Sequence, residues 1–223
     1  CCAVVEQMYS YEELFAHTGD NKWAERLEVL AFNALPATLS EDMWTHQYVQ
    51  QVNQTACQKT MIMAPFSTNG PYAHTFGLEP NFGCCTANFN QGWPKFALSA
   101  FMHKDNKIIS SVMLPSVLKE KDVTIRLETD YPFNNKMHYS IESEKEFDFV
   151  IRIPSFAKGL KVNGADAQTK DIELAIPQGK TEIEIEFDTV PYLKQRPNGL
   201  CALQMGSLVF SVPVAYEKKM REY

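Results

Sequence analysis

The chain has 223 residues, of which 45% are hydrophobic and 22% are charged, and its formal net charge at pH 7 is −6. A net negative charge argues against nucleic acid as the natural partner. No run approaches the roughly 20 apolar residues needed to cross a bilayer, so we expect no membrane partner. A compact chain of this length can bury one large core or two smaller ones.

The two ends of the sequence differ from those of a typical complete domain. The chain begins Cys1-Cys2-Ala3 without a methionine or a signal-like apolar stretch, and these residues already have the character of a helix interior. The last residues, 214–223, follow an apolar run and stop without an obvious cap. We therefore interpret the chain as a C-terminal fragment of a longer protein, whose missing N-terminal part is an expected partner.

The first part of the chain, residues 1–104, has helical character. Apolar residues recur at helical spacing from Val4 to Phe15, and the sequence Thr18-Gly19-Asp20-Asn21 combines a helix C-terminus with an N-cap. A second apolar stripe runs from Trp23 to Ala34 and stops before Pro36. Two helices joined by so few residues predict an antiparallel hairpin.

A long polar and aromatic segment, residues 36–83, follows the hairpin. It is too long for an ordinary connection, and long ordered loops often carry function. Amide side chains can bond sugar hydroxyls and aromatic rings can stack on sugar faces, so we select Tyr48, Gln51 and His74 as candidate substrate-binding residues. The alternatives are an ordinary ordered loop for Tyr48 and Gln51 and an exposed histidine for His74.

The pattern becomes β from residue 105 to residue 223. Short runs of alternating apolar and polar residues, separated by turn signals every ~8–12 residues, are typical of a β-sandwich. The clearest runs are 123–128, 147–153, 172–176 and 183–187. Alternation within 147–153 assigns Arg152 to the solvent face. These patterns predict an α-then-β chain with a domain boundary between residues 104 and 105.

The stretch NFGCCTANFNQGWPKF places Cys84 and Cys85 side by side. Adjacent Cα atoms lie about 3.8 Å apart, whereas disulfides usually need about 4.4 to 6.8 Å, so a bridge between these two cysteines would be strained. Tetrahedral zinc puts neighbouring sulfurs roughly 3.8 Å apart, which adjacent cysteines can match. Cys84 and Cys85 can therefore chelate one metal, with Cys2 or Cys1 arriving from the first helix.

The position of the cysteine pair also suggests catalysis. We predict a helix from about Asn88 to Met102, with Pro94 near its start, so the pair precedes a helix. A thiolate on a metal or near a helix N-terminus has a lowered pKa and is the nucleophilic form, which makes a zinc-bound cysteine a candidate covalent catalyst. The alternative is that both cysteines are buried small hydrophobes.

Four segments together resemble the bacterial β-L-arabinofuranosidase family of glycoside hydrolases, and within it a branch common in gut Bacteroidetes. They read CCAVVEQMYSYEELFAHTGDNKWAERLEVLAFNALPA, QYVQQVNQTAC, CCTANFNQGWPKF and FDFVIRIPSFAKGLKVNG. The resemblance covers essentially the whole chain. Its most specific parts are the Cys-Cys-x-x-Asn motif of Cys84, Cys85 and Asn88 and the cysteine that begins the helix before the Thr-Gly-Asp turn.

The resemblance implies a fold and a site. Residues 1–104 would form the last hairpins of a six-hairpin (α/α) toroid, and residues 105–223 an antiparallel β-sandwich. Zinc would be held by three cysteines and a glutamate, with Cys2, Cys84 and Cys85 on the cysteine positions. Cys84 would be the nucleophile of a retaining mechanism that releases β-L-arabinofuranose from plant-type glycans, in a periplasmic setting.

Two departures limit what this chain can do alone. The family's ligand glutamate and its acid/base glutamate would both lie before residue 1, and retaining hydrolysis needs a second group beside the nucleophile. We therefore expect the chain to be inactive by itself. Thr86-Ala87 replaces a Pro-Pro pair, which leaves the sugar open. The competing hypotheses are a non-catalytic carbohydrate-binding protein with a structural cysteine/zinc site and a purely structural zinc module.

Overall fold

The computed structural model describes residues 1–54, 56–59, 70–78, 82–168, 170–213, 215, 217 and 219. Four helices come first, and the β-strands follow from residue 101 onward. The predicted order of α followed by β is therefore confirmed. No helix among the described residues combines the length and apolar character that crossing a bilayer requires.

The first two helices form as the sequence predicts. Helix α1 spans Cys2–Thr18 and ends at Gly19, whose φ of 65° lies in the left-handed region that glycine adopts without a Cβ penalty. Helix α2 spans Asn21–Val29, and its N-cap residue Asp20 accepts a hydrogen bond from the backbone N–H of Lys22 at 3.1 Å. The two helices pack against each other and place Cys2 at the free end of the hairpin.

The third predicted helix is wrong in its bounds. The structure has a short helix α3 at Gly83–Asn88, a 3₁₀ turn at Phe89–Gln91 and a helix α4 at Gly92–Leu98. Pro94 explains the break, because proline lacks an N–H and its ring clashes with the carbonyl four residues earlier in a continuous helix. The cysteine pair therefore lies inside the first turn of a helix rather than before one.

The helices share one hydrophobic core. A π-helical segment at Leu30–Ala34 and a 3₁₀ turn at Pro36–Thr38 continue the chain after α2 and add buried side chains to it. The fully buried members come from α1, α2, α4 and the segments that follow them: Val5, Met8, Phe15, Ala24, Leu27, Ala31, Leu35, Phe96, Ala100 and Val112. This core fixes α1 relative to α3 and α4, and so fixes the relative positions of the cysteines that they carry.

Thirteen strands follow among the described residues. They are β1 Phe101–Lys104, β2 Lys107–Ser110, β3 Ser116–Lys119, β4 Val123–Thr129, β5 Lys136–Ser143, β6 Phe147–Ile151, β7 Lys158–Val162, β8 Ala165–Asp166, β9 Ile172–Ile176, β10 Gly179–Asp188, β11 Tyr192–Gln195, β12 Cys201–Met205 and β13 Leu208–Phe210. Each of the four alternating runs in the sequence falls on one of these strands. The period-two pattern was therefore a sound guide to where strands form.

The strands form three sheets, with the orders β1-β2-β6-β9, β3-β4-β5-β10-β7-β8 and β11-β12-β13. The expectation of wholly antiparallel sheets is wrong at one pair, because β2 and β6 run parallel with Lys107 opposite Asp148. Three strands of the second sheet lie between β2 and β6 in the chain. Such a long crossover is what a parallel pair requires, whereas a hairpin can only join antiparallel strands.

The first two sheets contribute to one β core. Its buried members include Ile108, Phe149 and Ile151 from the first sheet and Ile125 and Tyr139 from the second. The rings of Tyr139 and Phe149 meet edge to face at 5.5 Å, and the hydroxyls of Tyr139 and Ser110 lie 2.9 Å apart. The third sheet attaches to the helical segment through other contacts.

The third sheet docks on the π-helical segment through one asparagine. Asn33 donates from Nδ2 to the carbonyl of Ser207 at 2.7 Å and accepts at Oδ1 from the N–H of Val209, also at 2.7 Å. Through these two hydrogen bonds the Asn33 side chain pairs with the backbone at the sheet edge as a neighbouring strand would. The β11–β13 sheet is thereby held beside the loop that follows the helices.

Arg152 is buried, with 2% of its surface exposed, and the prediction that it faces solvent is wrong. Strand β6 ends at Ile151, so the alternation of the strand does not extend to Arg152. Its guanidinium forms an ion pair with Glu28 of α2, which is itself 0% exposed. A second donor of the same guanidinium bonds Asn21 at 2.9 Å. The pair joins the helices to the β strands.

Candidate metal and catalytic centre

The structure brings Cys2, Cys84 and Cys85 together. Their three Sγ atoms all lie within 4.8 Å of one another, and Cys2 Sγ is 3.3 Å from Cys84 Sγ. Among the described residues this is the group of histidine, cysteine and carboxylate side chains that can hold a metal ion. All three are free thiols; Cys84 is exposed, Cys2 is half-buried and Cys85 is buried.

Two helix starts create this arrangement. Cys2 is the first residue of α1, and Cys84 and Cys85 lie in the first turn of α3, where the N–H of Cys85 donates to the carbonyl of Phe82 at 2.9 Å. Asn88 donates from Nδ2 to the carbonyl of Cys84 at 2.9 Å. The spacing of Cys-Cys-x-x-Asn therefore has a structural reason: the asparagine one turn later bonds the turn that carries the thiols.

Cys1 also lies beside the cysteine group, but it has a different role. Its backbone nitrogen donates to the carbonyl of Tyr48 at 2.6 Å, and its Sγ contacts the carbonyl of Cys85 at 3.5 Å. Only 2% of Cys1 is exposed. Spacing left the third sulfur ligand open between Cys1 and Cys2, and the family resemblance implied Cys2. The geometry favours Cys2, since its Sγ belongs to the group and that of Cys1 does not.

The donor set fits a thiophilic metal ion. Burial, the bond to Cys84 and the charges of Cys85 and Cys84 raise the pKa of Cys2 to about 11. Thiolates are the form of cysteine that binds a metal ion, and a bound cation compensates the charge of closely packed thiolates. Tetrahedral zinc needs sulfurs roughly 3.8 Å apart, which small side-chain rotations of these residues can supply.

Tyr48 lies beside the cysteine group. Its ring stacks on Phe82 with centroids 4.0 Å apart and an interplanar angle of 12°. The carbonyl of Tyr48 accepts the hydrogen bond from the Cys1 nitrogen, and burial, followed by the charges of Cys2, Cys84 and Cys85, raises the pKa of the Tyr48 phenol. The stack braces Phe82, the residue before α3, and so couples the loop to the helix that carries the cysteine pair.

The two other candidate sugar-binding residues lie further along the loop and do not belong to the cysteine group. Gln51 is half-buried, and its N–H donates to Oε1 of Gln54 at 3.0 Å. His74 is buried rather than exposed, with 4% of its surface accessible, and its Nε2 has no hydrogen-bond partner among the described residues. His74 does not belong to the metal-binding group. Glu79, which the sequence offers only as a weak candidate for approaching the metal, lies outside the described residues.

Sequence reasoning missed two features of this region. Phe82 was not selected, although its place directly before Gly83 and the cysteine pair was a usable signal for a residue that shapes the turn. Arg196 was also missed, because it follows strand β11 and comes near the loop only through the tertiary fold. No periodicity links residues so far apart in the sequence.

Comparison with protein-family models finds two matches. A model described as β-L-arabinofuranosidase, GH127 catalytic domain, matches residues 1–98, and one described as β-L-arabinofuranosidase, GH127 middle domain, matches residues 108–186. Together they cover most of the chain. A comparison with curated protein sequences finds no match.

Several solved structures share the fold. A protein described as a glycoside hydrolase is 19% identical with a TM-score of 0.72, over 93% of this chain and 37% of its own. A GH127 β-L-arabinofuranosidase from Geobacillus stearothermophilus T6 is 16% identical with a TM-score of 0.66, over 92% of this chain and 35% of its own. The GH127 β-arabinofuranosidase BT3674 is 21% identical with a TM-score of 0.67, over 93% of this chain and 36% of its own. The chain thus spans about a third of the length of these structures.

Proposed function

The chain belongs to the GH127 family of β-L-arabinofuranosidases, and from this premise we propose that it is part of a retaining glycoside hydrolase with a zinc-bound cysteine nucleophile. The observation that carries the proposal is the convergence of Cys2, Cys84 and Cys85 on one point. The proposed substrate is a plant-type glycan, from which the whole protein releases β-L-arabinofuranose.

Cys84 is the proposed nucleophile because it is the exposed member of the cysteine pair, whereas Cys85 is buried. In a retaining mechanism its sulfur attacks the anomeric carbon, the sugar–oxygen bond to the leaving group breaks, and water later hydrolyses the glycosyl thioether. An acid/base group must protonate the leaving oxygen and then deprotonate the water. We assign this group, and the fourth metal ligand, to the part of the protein that precedes residue 1.

Zinc, when bound, supplies the positive charge that keeps the three thiols deprotonated at neutral pH. The residues of this chain perform the remaining tasks. Asn88 bonds the carbonyl of Cys84 and orients the turn, and Tyr48 presents an aromatic ring beside the thiols. Gln51 and His74 are proposed to bind sugar hydroxyls further along the loop.

The proposal includes an architecture. Residues 1–104 would be the last hairpins of an (α/α) toroid and residues 105–223 a β-sandwich region. The shared core of the first two sheets supports the second assignment, and the helical hairpin supports the first. The chain spans about a third of the solved structures that it resembles, and the proposal assigns one wall of the substrate pocket and the acid/base group to the remainder of the whole protein. The chain alone is therefore proposed to be inactive.

The test is turnover by the full-length protein. With an aryl β-L-arabinofuranoside as substrate, Cys84→Ser should lower kcat by several orders of magnitude, whereas Cys201→Ser, an exposed cysteine on β12, should leave it unchanged. Mass spectrometry of the quenched reaction should show a glycosyl adduct on the peptide that contains Cys84. Wild-type turnover in Cys84→Ser would remove Cys84 from the mechanism.

A non-catalytic carbohydrate-binding function is the second candidate, and the same preparation discriminates it. If the full-length protein bound arabinofuranosyl glycans on an array and retained that binding after its thiols were alkylated, yet never turned them over, binding rather than catalysis would be its function. No contact in the described residues favours that outcome over the first.

A further inference from the structure

A separate cavity of about 330 Å³ lies beside the loop that carries Tyr48. One wall is the loop segment 51–53, and the other is the turn between β11 and β12, where Arg196, Asn198 and Leu200 face the cavity. Asn53 joins the two walls, because its Nδ2 donates to the carbonyl of Cys201 at 3.2 Å. The cavity is therefore built by two segments that the fold brings together from distant parts of the sequence.

Arg196 supplies the charge in this cavity, and its lining contains no carboxylate. The buried Nε of Arg196 has no hydrogen-bond partner among the described residues, and its guanidinium forms no ion pair with any of them. A buried donor without an acceptor is destabilising, so such a group usually has a ligand or a water as its partner. The planar guanidinium fork matches the two oxygens of a carboxylate.

The backbone holds Arg196 in place without using its side chain. The N–H of Arg196 donates to the carbonyl of Leu200 at 2.8 Å, which closes the turn. Within that turn Asn198 adopts a φ of 61°, a left-handed conformation that asparagine tolerates better than most residues. The turn is thus fixed by main-chain contacts, and the guanidinium remains available to a ligand.

Three amide side chains line the same cavity as Arg196. Gln51, Asn53 and Asn198 all line the cavity, and amides can both donate to and accept from hydroxyl groups. The volume is at the lower end of the range for small-molecule sites and is large enough for one sugar ring. Hydroxyl-binding amides around a single unpaired cation are the donor set that an acidic sugar requires.

The cavity lies close to the cysteine group along the chain. The carbonyl of Tyr48 accepts a hydrogen bond from the nitrogen of Cys1 at 2.6 Å, and Gln51 follows only three residues later. Three residues extend at most ~10 Å, and the contacts through Cys1 add several more, so the Gln51 side of the cavity lies within a few sugar units of the cysteine group. A glycan of a few units that is bound at the thiols can therefore extend to this cavity.

We propose that this cavity is a subsite for a uronic acid unit of the glycan, with Arg196 as the partner of its carboxylate. Its location on the loop that follows Tyr48 makes it a specificity site that rests on the proposed function. The binding itself does not depend on catalysis, because the lining residues all belong to the described chain. A protein with a net charge of −6 has to concentrate positive charge locally to accept such a ligand.

The experiment measures binding of D-glucuronate, D-glucose and acetate to the chain by ligand-observed NMR and calorimetry. Arg196→Gln is compared with Lys194→Gln, which removes the same charge from an exposed position on β11. Glucuronate should bind at least roughly tenfold more tightly than glucose or acetate, Arg196→Gln should abolish that difference, and Lys194→Gln should leave it unchanged. Arg196→Lys keeps the charge but loses the guanidinium fork. Its preference for glucuronate should therefore be smaller than that of the wild type and larger than that of Arg196→Gln.

Three results would overturn the proposal: equal binding of glucuronate and glucose, equal binding of glucuronate and acetate, or unchanged binding in Arg196→Gln. Equal binding of acetate would identify a simple anion site, to which a carboxylate of another protein segment could equally bind. The thermal unfolding of each variant shows whether it keeps the fold, and Arg196→Lys carries the test if Arg196→Gln unfolds. Because no turnover is measured, failure of Cys84 as the nucleophile would leave this result unaffected.

Discussion

Cys2 and Cys84 place their Sγ atoms 3.3 Å apart although 82 positions separate them in the chain. One begins α1 and the other lies in the first turn of α3, so the packing of these helices sets the distance. Neither sulfur is in a disulfide. The cysteine group is therefore a product of the helical core rather than of a local motif alone.

The reactivity of the cysteines should follow their exposure. In the metal-free chain, iodoacetamide should modify the exposed Cys84 and Cys201 rapidly. Cys57, whose pKa is raised by burial of its thiol, and the buried Cys1 and Cys85 should react more slowly. Added zinc should protect Cys84 but not Cys201, because only Cys84 belongs to the proposed site. Peptide mapping by mass spectrometry gives the rate at each position. Equal protection of Cys57, Cys84 and Cys201 by zinc would indicate non-specific binding to thiols.

The buried pair of Arg152 and Glu28 should matter to stability. Arg152→Met leaves a carboxylate that still bonds Tyr131 and Ser207 but has lost its counter-charge, and this should lower the free energy of unfolding by about 3–5 kcal/mol. Lys161→Met, on the exposed side of β7, should change it by less than about 0.5 kcal/mol. Urea unfolding measures both.

A second variant separates the charge from the packing in this network. Adding Glu28→Gln to Arg152→Met removes the unpaired charge, so the double variant should be more stable than Arg152→Met alone. If the loss of stability in the double variant equalled the sum of the losses in Arg152→Met and Glu28→Gln, the two residues would act independently. The ion pair would then not be what links the helices to the strands.

Glu12 should make stability depend on pH. It is 6% exposed on α1, and burial raises its pKa from 4.5 to about 7, although the Ser99 hydroxyl and the Lys95 charge act in the opposite direction. The folded chain therefore binds a proton that the unfolded chain releases above about pH 4.5. The contribution of this proton to stability is present at low pH and is lost as the pH rises through about 7.

Glu12→Gln tests this dependence, because glutamine stays neutral. The variant should match the wild type near pH 4 and should be more stable at pH 8, by up to roughly 3 kcal/mol. Glu6→Gln, on an exposed position of the same helix, should show no such pH-dependent gain. Urea unfolding at the two pH values measures the difference, and an equal gain at both would exclude titration of Glu12 as its cause.

Local signals predicted much of this fold. Gly19 and Asp20 mark the end of one helix and the start of the next through backbone conformation and capping, which are properties of neighbouring residues. Alternation located the β strands for the same reason. The bounds of α3 and α4 do not follow from the apolar pattern alone, because Pro94 is compatible with a helix start but also interrupts a continuous helix at the turn before it.

Helix caps and alternation involve neighbouring residues, so they do not predict which distant residues meet in the fold. Arg152 follows directly after a strand, and its burial depends on Glu28, which lies 124 positions away. Spacing alone likewise left the choice between Cys1 and Cys2 open; the family resemblance implied Cys2, and the direction of each side chain at the helix start gives the physical reason for it. The cavity beside Arg196 arises from a loop and a turn that no sequence pattern connects.

The most direct test of the central claim is zinc content. The chain, purified under reducing conditions without chelator or histidine tag and then equilibrated with zinc, should retain about one zinc per chain by elemental analysis. Cys2→Ser and Cys84→Ser should each lose it, whereas Cys201→Ser should keep it. A wild-type chain that retained no zinc, or a Cys84→Ser chain that retained as much as the wild type, would contradict a zinc-thiolate centre at these residues.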